Sequence, residues 1–330
     1  MYEGRSWQAT EFGEPEDVMS VVETRWSAPA DGQILVRVRA VGAGFADVLQ
    51  VRGQYPGVTP PVTPGLEVAG EVAEAAPGTG YAPGDMVMGV TPAAVGETYG
   101  GYADYTYLRA GKVRRIPSTF SAEEAAGFMI PFRTAHQALA ERISTEPGET
   151  LAVLGAGGGV GSAAIQLGKA LGLTVIAVAA TDEKLKFCMA HGADHGVNHR
   201  EQDVAAELVR LTDGAGVDVL LDTVGGELTS RAIQGVGSGG RVSVAGYASG
   251  AFVTVDVMDM VLRNYSVVGV YAGGTTPDQD AAAYGTMLGM AERGVIRTPI
   301  GTVSPFEEVP AVLARMASGG PAGKHIIRVS

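Results

Sequence analysis

Residues 151–180 read LAVLGAGGGVGSAAIQLGKALGLTVIAVAA, and this segment constrains the fold more than any other. Leu151 to Leu154 form the short apolar run that a parallel strand buried on both faces requires. Five glycines fall among the next seven residues, Gly155 to Gly161. Val160, Ala164, Leu167 and Leu171 then recur at helical spacing, Gly172 caps that helix, and residues 174–178 read as a second strand. Strand, glycine turn, helix and strand make a dinucleotide-binding unit. Gly158 lets the backbone approach a pyrophosphate, Gly161 lets helix and strand pack closely, and the helix N-terminus offers unpaired N–H groups. The alternative is a glycine-rich turn in an ordinary βαβ unit, and the strand–turn–helix context weighs against it.

The rest of the chain agrees with an enzyme built on such a unit. Its 330 residues exceed one comfortable core, so two domains are expected, and 46% hydrophobic residues supply material to bury. The net charge of -12, without a clustered block of Lys or Arg, disfavours a nucleic-acid partner. No apolar segment follows a basic N-terminus, and no apolar run approaches the roughly 20 residues that cross a bilayer. The expectation is a cytoplasmic protein with no membrane partner. Cys188 is the single cysteine, which excludes an intrachain disulfide or a cysteine-based zinc lobe and suits a reducing compartment.

Before the glycine turn, short β segments at residues 33–41, 67–73 and 86–90 are separated by Pro, Gly and Asp turns. From residue 122 onward helices alternate with strands: 203–211 helical, then strands at 217–222, 241–245 and 266–270. The tail has a helix at 309–316 and a closing strand at 325–329, which lets it rejoin the first domain. The expected fold class is α/β. A Rossmann-type doubly wound parallel sheet at 122–297 stands beside a mainly β domain formed from 1–121 and 298–330.

GFADVLQVRGQYP at residues 44–56, PGLEVAGEV at 64–72, GGYADY at 100–105, AGGGVG at 156–161 and DTVGG at 222–226 occur in this order over nearly the whole chain. In this the sequence resembles the zinc-free medium-chain dehydrogenases/reductases of the quinone oxidoreductase, or zeta-crystallin-like, group. The resemblance implies a split GroES-like catalytic domain, a central nucleotide domain, a cofactor in the cleft between them and a homodimer. The sheet edge near residues 266–270 would pair with its symmetry mate and so remove an exposed strand edge.

Zinc relatives carry Cys at the position of Gly44 and His at that of Leu66, and neither replacement ligates a metal. Alcohol dehydrogenation through a Lewis-acid zinc is thereby excluded, which favours reduction of conjugated systems. Glu67 survives from the zinc pattern and reads as a hydrogen-bonded structural carboxylate. His191, His195 and His199 lie four apart, but Gly192, Asp194 and Gly196 break the helix, so no metal site is expected there.

Cofactor choice turns on the end of the second strand, where NAD-binding units place Asp or Glu for the ribose hydroxyls. Here the chain reads Ala179-Ala180-Thr181, so a 2′-phosphate is not repelled and Lys184 is able to pair with it. NADPH is expected. Lys184 also reads as a solvated helix residue, and Asp182 and Glu183 oppose the preference. In the resembled group a tyrosine in an INYR-like segment packs at this phosphate. Here Val197-Asn198-His199-Arg200 leaves His199 and Arg200 as substitutes. The resemblance further implies cofactor contacts from Phe45 and Thr134 near the nicotinamide, Gly159 and Val160 at the pyrophosphate, and Gly246, Tyr247 and Tyr271 along the cleft. Lys324 matches the position where the family's tail re-enters the active-site region, and otherwise reads as a surface lysine.

The implied reaction is hydride transfer from NADPH to a quinone or other conjugated carbonyl. For an enone the resulting enolate needs a proton, and Tyr55, in a YPG segment like that of polyketide enoyl reductases, is the candidate donor. Its alternative is a loop tyrosine covering apolar surface. The group has Asn where this chain has Gly44, so quinone reduction competes with an ene-reductase acting on enones or enoyl thioesters. Asp47 reads as a brace for that loop. A catalytically silent NADPH-binding protein is the reading from another class.

Overall fold

The computed structural model describes residues 1–92 and 99–330. Along the chain the first strands are β1 (Tyr2–Ala9), β2 (Met19–Trp26), β3 (Gln33–Ala43), β4 (Glu67–Ala75), β5 (Met86–Val90), β6 (Tyr105–Arg109) and β7 (Val113–Arg115). They are followed by β8 (Thr150–Leu154), β9 (Thr174–Ala179), β10 (His195–Asn198), β11 (Val217–Asp222), β12 (Val236–Val244) and β13 (Ser266–Gly269). The last are β14 (Ile300–Pro305) and β15 (Lys324–Arg328). Two compact units result, Met1–Ile130 with Ile300–Ser330, and Pro131–Pro299.

In the first unit a sheet runs in the order β14-β15-β3-β4-β5-β7, with β6 also paired to β3 and a separate β1–β2 hairpin. Ile34, Val36, Val38 and Val41 of β3 meet Val68, Val72, Val87, Leu108, Leu313 and Ile327 in one core. The C-terminal strand enters this sheet antiparallel to β3, with Ile327 opposite Val41 and Ile326 opposite Gly42. Gly42 is required there, because a Cβ would fall into the carbonyl of Ala126 and 2.8 Å from Lys324 Cε. The helix Ala122–Ala126 therefore lies on β3 and β4 and belongs to the first unit, whereas the sequence expectation placed residues from 122 onward in the nucleotide unit. Helical spacing identifies an element but not the sheet it covers.

The second unit is a six-stranded parallel sheet in the order β10-β9-β8-β11-β12-β13. This is the doubly wound arrangement in which strand order reverses between the first and fourth strands, here β8 and β11. Ala152, Leu154, Ile176, Val178, Val197, Leu220 and Val242 form its interior together with helical Leu208 and Ala232. Strand β12 begins at Val236, five residues before the expected start at 241. β11 pairs Val217 with Val236 and Val219 with Arg241, so the intervening residues, Gly237, Gly239 and Gly240 among them, are taken up by a register shift between the two pairs. Among the described residues no helix is long and apolar enough to cross a membrane.

Candidate functional site

In the nucleotide unit the chain leaves β8 at Leu154 and turns at Gly155, whose φ of +71° is left-handed and suits glycine. Gly158 caps the helix Gly159–Ala170 in an extended conformation, so the N–H groups of Gly159, Val160 and Gly161 stand at an open helix N-terminus. A Cβ on Gly161 would collide with the carbonyl of Gly155 and come within 2.7 Å of Ala156 Cα. The turn is thus packed as a phosphate cradle demands. At the switch point Thr223 donates its hydroxyl to Leu154 O at 2.8 Å, and buried Asp222 accepts the amides of Val224 and Gly225, both at 2.8 Å. Burial raises the Asp222 carboxyl while those amides hold it down. Gly246 lies against the Thr223 carbonyl, which a Cβ would approach to 2.9 Å, and half-buried Tyr247 stacks on Phe252 with ring centroids 4.3 Å apart.

Strand β9 ends at Ala179, and Thr181 caps the helix Asp182–Ala190 by accepting from Lys184 N. Lys184 lies back over the glycine turn: a Cβ on Gly157 would meet its Cβ, Cγ and Cδ at 3.1, 3.2 and 3.3 Å. Burial, followed by the charge of Arg200, lowers the Lys184 ammonium from its usual value. The His199 imidazole, just past β10, is lowered by burial and then by Arg200 and Arg231, with Lys184 adding to the effect. Lys184, His199, Arg200 and Arg231 are thus linked electrostatically, Arg200 acting on both Lys184 and His199 and Arg231 on His199. Sequence reasoning missed Arg231, because it lies on the helix Gly226–Ile233 with no local motif to mark it. Of the opposing acids, Asp182 accepts from Asn198 Nδ2 at 3.0 Å, and Glu183 only weakly opposes the lowering of Lys184.

Thr134 is buried on the helix Met129–His136, and Tyr271 is 68% exposed where β13 gives way to a short turn at Ala272–Gly274. His191 ends its helix, with Nδ1 2.8 Å from Phe187 O and its ring on Phe187, while His195 opens β10. The three histidines do not share a helical face. The Cys188 thiol is buried and pushed up to about 12, which leaves it protonated and unreactive.

In the β-rich unit, Gly44 caps the helix Phe45–Val51 and half-buried Phe45 opens it. Asp47 accepts from Gly44 N at 2.8 Å, Gly65 N at 3.2 Å, Leu66 N at 3.1 Å and the Tyr102 hydroxyl at 3.0 Å. It holds together the two segments that bear Gly44 and Leu66. Burial pushes the Asp47 carboxyl up against these donors, and burial with Asp47 beside it carries the Tyr102 phenol well above its ordinary value. A Cβ on Gly44 would have nothing nearer than Asp47 Oδ2 at 3.8 Å, so that position has room for a side chain. Glu67 is fully buried, accepts from Ile130 N at 2.9 Å and pairs with Lys324 Nζ at 3.0 Å. Lys324 is 5% exposed, which corrects the surface-lysine reading: its ammonium is spent on a buried partner. Tyr55 follows the helix, its amide bound to Leu49 O at 3.1 Å and its ring half-buried. Among the described residues no group of three or more His, Cys, Asp or Glu is placed to hold a metal ion.

The two units match two family models, the alcohol dehydrogenase GroES-like domain over residues 30–118 and the zinc-binding dehydrogenase domain over residues 159–289. Bovine quinone oxidoreductase-like protein 2 is 30% identical across 98% of this chain and 93% of its own. Human quinone oxidoreductase is 28% identical across 98% and 97%. The Escherichia coli quinone oxidoreductase solved as its NADPH complex superposes with a TM-score of 0.90 at 26% identity, covering 98% of this chain and all of that one. Because the likeness runs through both units and not the nucleotide unit alone, the chain belongs to the quinone oxidoreductase group of the medium-chain dehydrogenases/reductases, a family of oxidoreductases.

Proposed function

We propose that this protein is an NADPH-dependent, zinc-independent reductase of quinones or other conjugated carbonyls. The observation that carries the reading is Lys184 laid over Gly157, linked electrostatically with His199, Arg200 and Arg231, and no carboxylate at the end of β9. The turn N–H groups of Gly159, Val160 and Gly161 would hold the pyrophosphate, and the cations would hold the 2′-phosphate. Gly158 and Gly161 keep the backbone close, Thr181 fixes the helix that presents Lys184, and Gly246, Tyr247, Tyr271, Thr134 and Phe45 are proposed to line the remainder. Within the β-rich unit Lys324, paired with Glu67, is proposed to fix the start of β15 against β4. The bound cofactor supplies a hydride. Gly44 and Leu66 offer no metal ligand, so the substrate carbonyl is left to protein hydrogen bonds as negative charge grows on its oxygen. The Tyr55 phenol is the proposed proton donor when the product is an enolate.

A homodimer is part of the proposal. Strand β13 is an open sheet edge, and Val257, Met258, Val261 and Leu262 on the adjacent helix Val257–Arg263 are each 64–74% exposed. A monomeric mass by light scattering at micromolar concentration would contradict it.

Stopped-flow NADPH oxidation against 1,4-benzoquinone, a naphthoquinone and a simple enone, with NADH in parallel, tests the reaction. Quinone turnover with NADPH supports the proposal. Selective enone turnover shifts it to an ene-reductase dependent on Tyr55, and NADPH binding without turnover of any acceptor supports a silent cofactor-binding protein.

A further inference from the structure

One buried ionic network in the nucleotide unit has no part in the site so far. Arg133, 2% exposed on the helix Met129–His136, places Nε 3.0 Å from Asp280 Oδ1 and Nη1 2.9 Å from Glu141 Oε1. Asp280 is itself buried, on the helix Pro277–Glu292, and its Oδ1 lies 2.6 Å from Thr275 Oγ1. Glu141 belongs to a π-helical segment, Gln137–Arg142, that continues the Arg133 helix, and it also pairs with His136 Nδ1 at 3.1 Å. π-Helical insertions change which residues face a given direction and occur disproportionately at functional positions. The next residue, Arg142, donates from Nε to Gly269 O at 3.1 Å, the last residue of β13.

One helical segment thus grips the chain at both ends of residues 270–279, at Gly269 through Arg142 and at Asp280 through Arg133. That stretch carries exposed Tyr271 and the Thr275 hydroxyl. The Arg133 end of the grip is adjacent in sequence to Thr134. A buried ion pair contributes little net stability against an apolar replacement but fixes geometry firmly.

We infer that Arg133, Asp280 and Arg142 are positioning residues that hold the 270–276 loop, and with it Tyr271, in a fixed relation to Thr134. The inference rests on the proposed roles of Thr134 and Tyr271 at the cofactor.

The test measures hydrogen exchange of the loop by mass spectrometry in the full-length protein and in the variants Arg142→Ala and Asp280→Asn. NADPH affinity and steady-state constants are measured alongside. Arg142 is exposed, so its variant is available even where Asp280→Asn folds poorly. The expected result is loop exchange on the order of tenfold faster, with the 247–252 turn unchanged. KM for NADPH should rise about fivefold to tenfold while KM for the quinone stays the same. Unchanged exchange, or faster exchange with unchanged NADPH binding, overturns the inference. Wild-type protein that binds no NADPH refutes the cofactor reading and the positioning role with it. Wild-type binding matched by both variants refutes only the positioning role.

Discussion

The two units build their functional regions from different materials. In the nucleotide unit the proposed phosphate site is chiefly backbone: Gly155, Gly158 and Gly161 shape a turn within seven residues, and Lys184, His199, Arg200 and Arg231 are the side chains proposed at its rim. In the β-rich unit the corresponding region is a buried set of charges, Asp47, Glu67 and Lys324 with Tyr102, drawn from positions up to 277 residues apart. A backbone site tolerates changes around it but not a new Cβ inside it. A buried charge set tolerates none of its members being removed alone.

Breaking the charge set should have the largest effect on stability. Lys324→Met leaves Glu67 buried without its cation, and thermal or urea unfolding should show a loss of about 3–5 kcal/mol. The Glu67 carboxyl is already raised by burial, with Lys324 opposing that rise, so the variant raises it further. A raised folded-state carboxyl gives stability below its unfolded value that is lost as pH climbs through the folded one. The deficit of Lys324→Met should therefore be smallest at acid pH and grow upward through that window. Adding Glu67→Gln should recover part of it, and a double variant no more stable than Lys324→Met would contradict the pairing.

Gly161→Ala attacks the other material. Its Cβ has backbone, not a flexible side chain, in the way, so about 1–3 kcal/mol of stability should go. Dinucleotide binding should fall far more than in Lys324→Met, for NADH and NADPH alike, as calorimetric titration would show. Equal affinity losses in the two variants would erase the distinction between the units.

Lys184→Ala sharpens the rim. NADPH affinity should drop about tenfold or more, as expected for a charge-assisted phosphate contact, while NADH affinity is unchanged. A smaller effect concerns His199, whose imidazole is lowered by burial and by its cationic neighbours. A bound 2′-phosphate favours the protonated ring, so NADPH binding takes up a proton and tightens as pH falls below the usual imidazole range. His199→Gln should flatten that dependence and leave NADH binding unaltered.

The same contrast explains what the sequence made legible. The glycine turn, its helix and β9 announce themselves because strand, turn and helix are contiguous and each leaves its own periodicity. The proposed NADPH preference has its local basis in Ala179-Ala180-Thr181, since an absent carboxylate can be read directly from the sequence. Arg231 was invisible because only the tertiary fold brings its helix near His199: it packs on the helix Val204–Leu211, which in turn packs on β10. The burial of Lys324 was invisible for a similar reason: the antiparallel pairing of β15 with β3 and the missing Cβ of Gly42 admit it, and neither is encoded near residue 324. The Arg133 grip on residues 270–279 joins positions 147 apart and leaves no periodic trace. Asp47 was legible as a brace because it sits one turn after Gly44, within reach of that residue's amide.

Calorimetric titration of the wild-type protein with NADPH and with NADH tests the central claim most directly. NADPH bound at least about tenfold more tightly than NADH, at a stoichiometry of one per chain, is the result this account predicts. Equal affinities, or no binding of either dinucleotide, would contradict it.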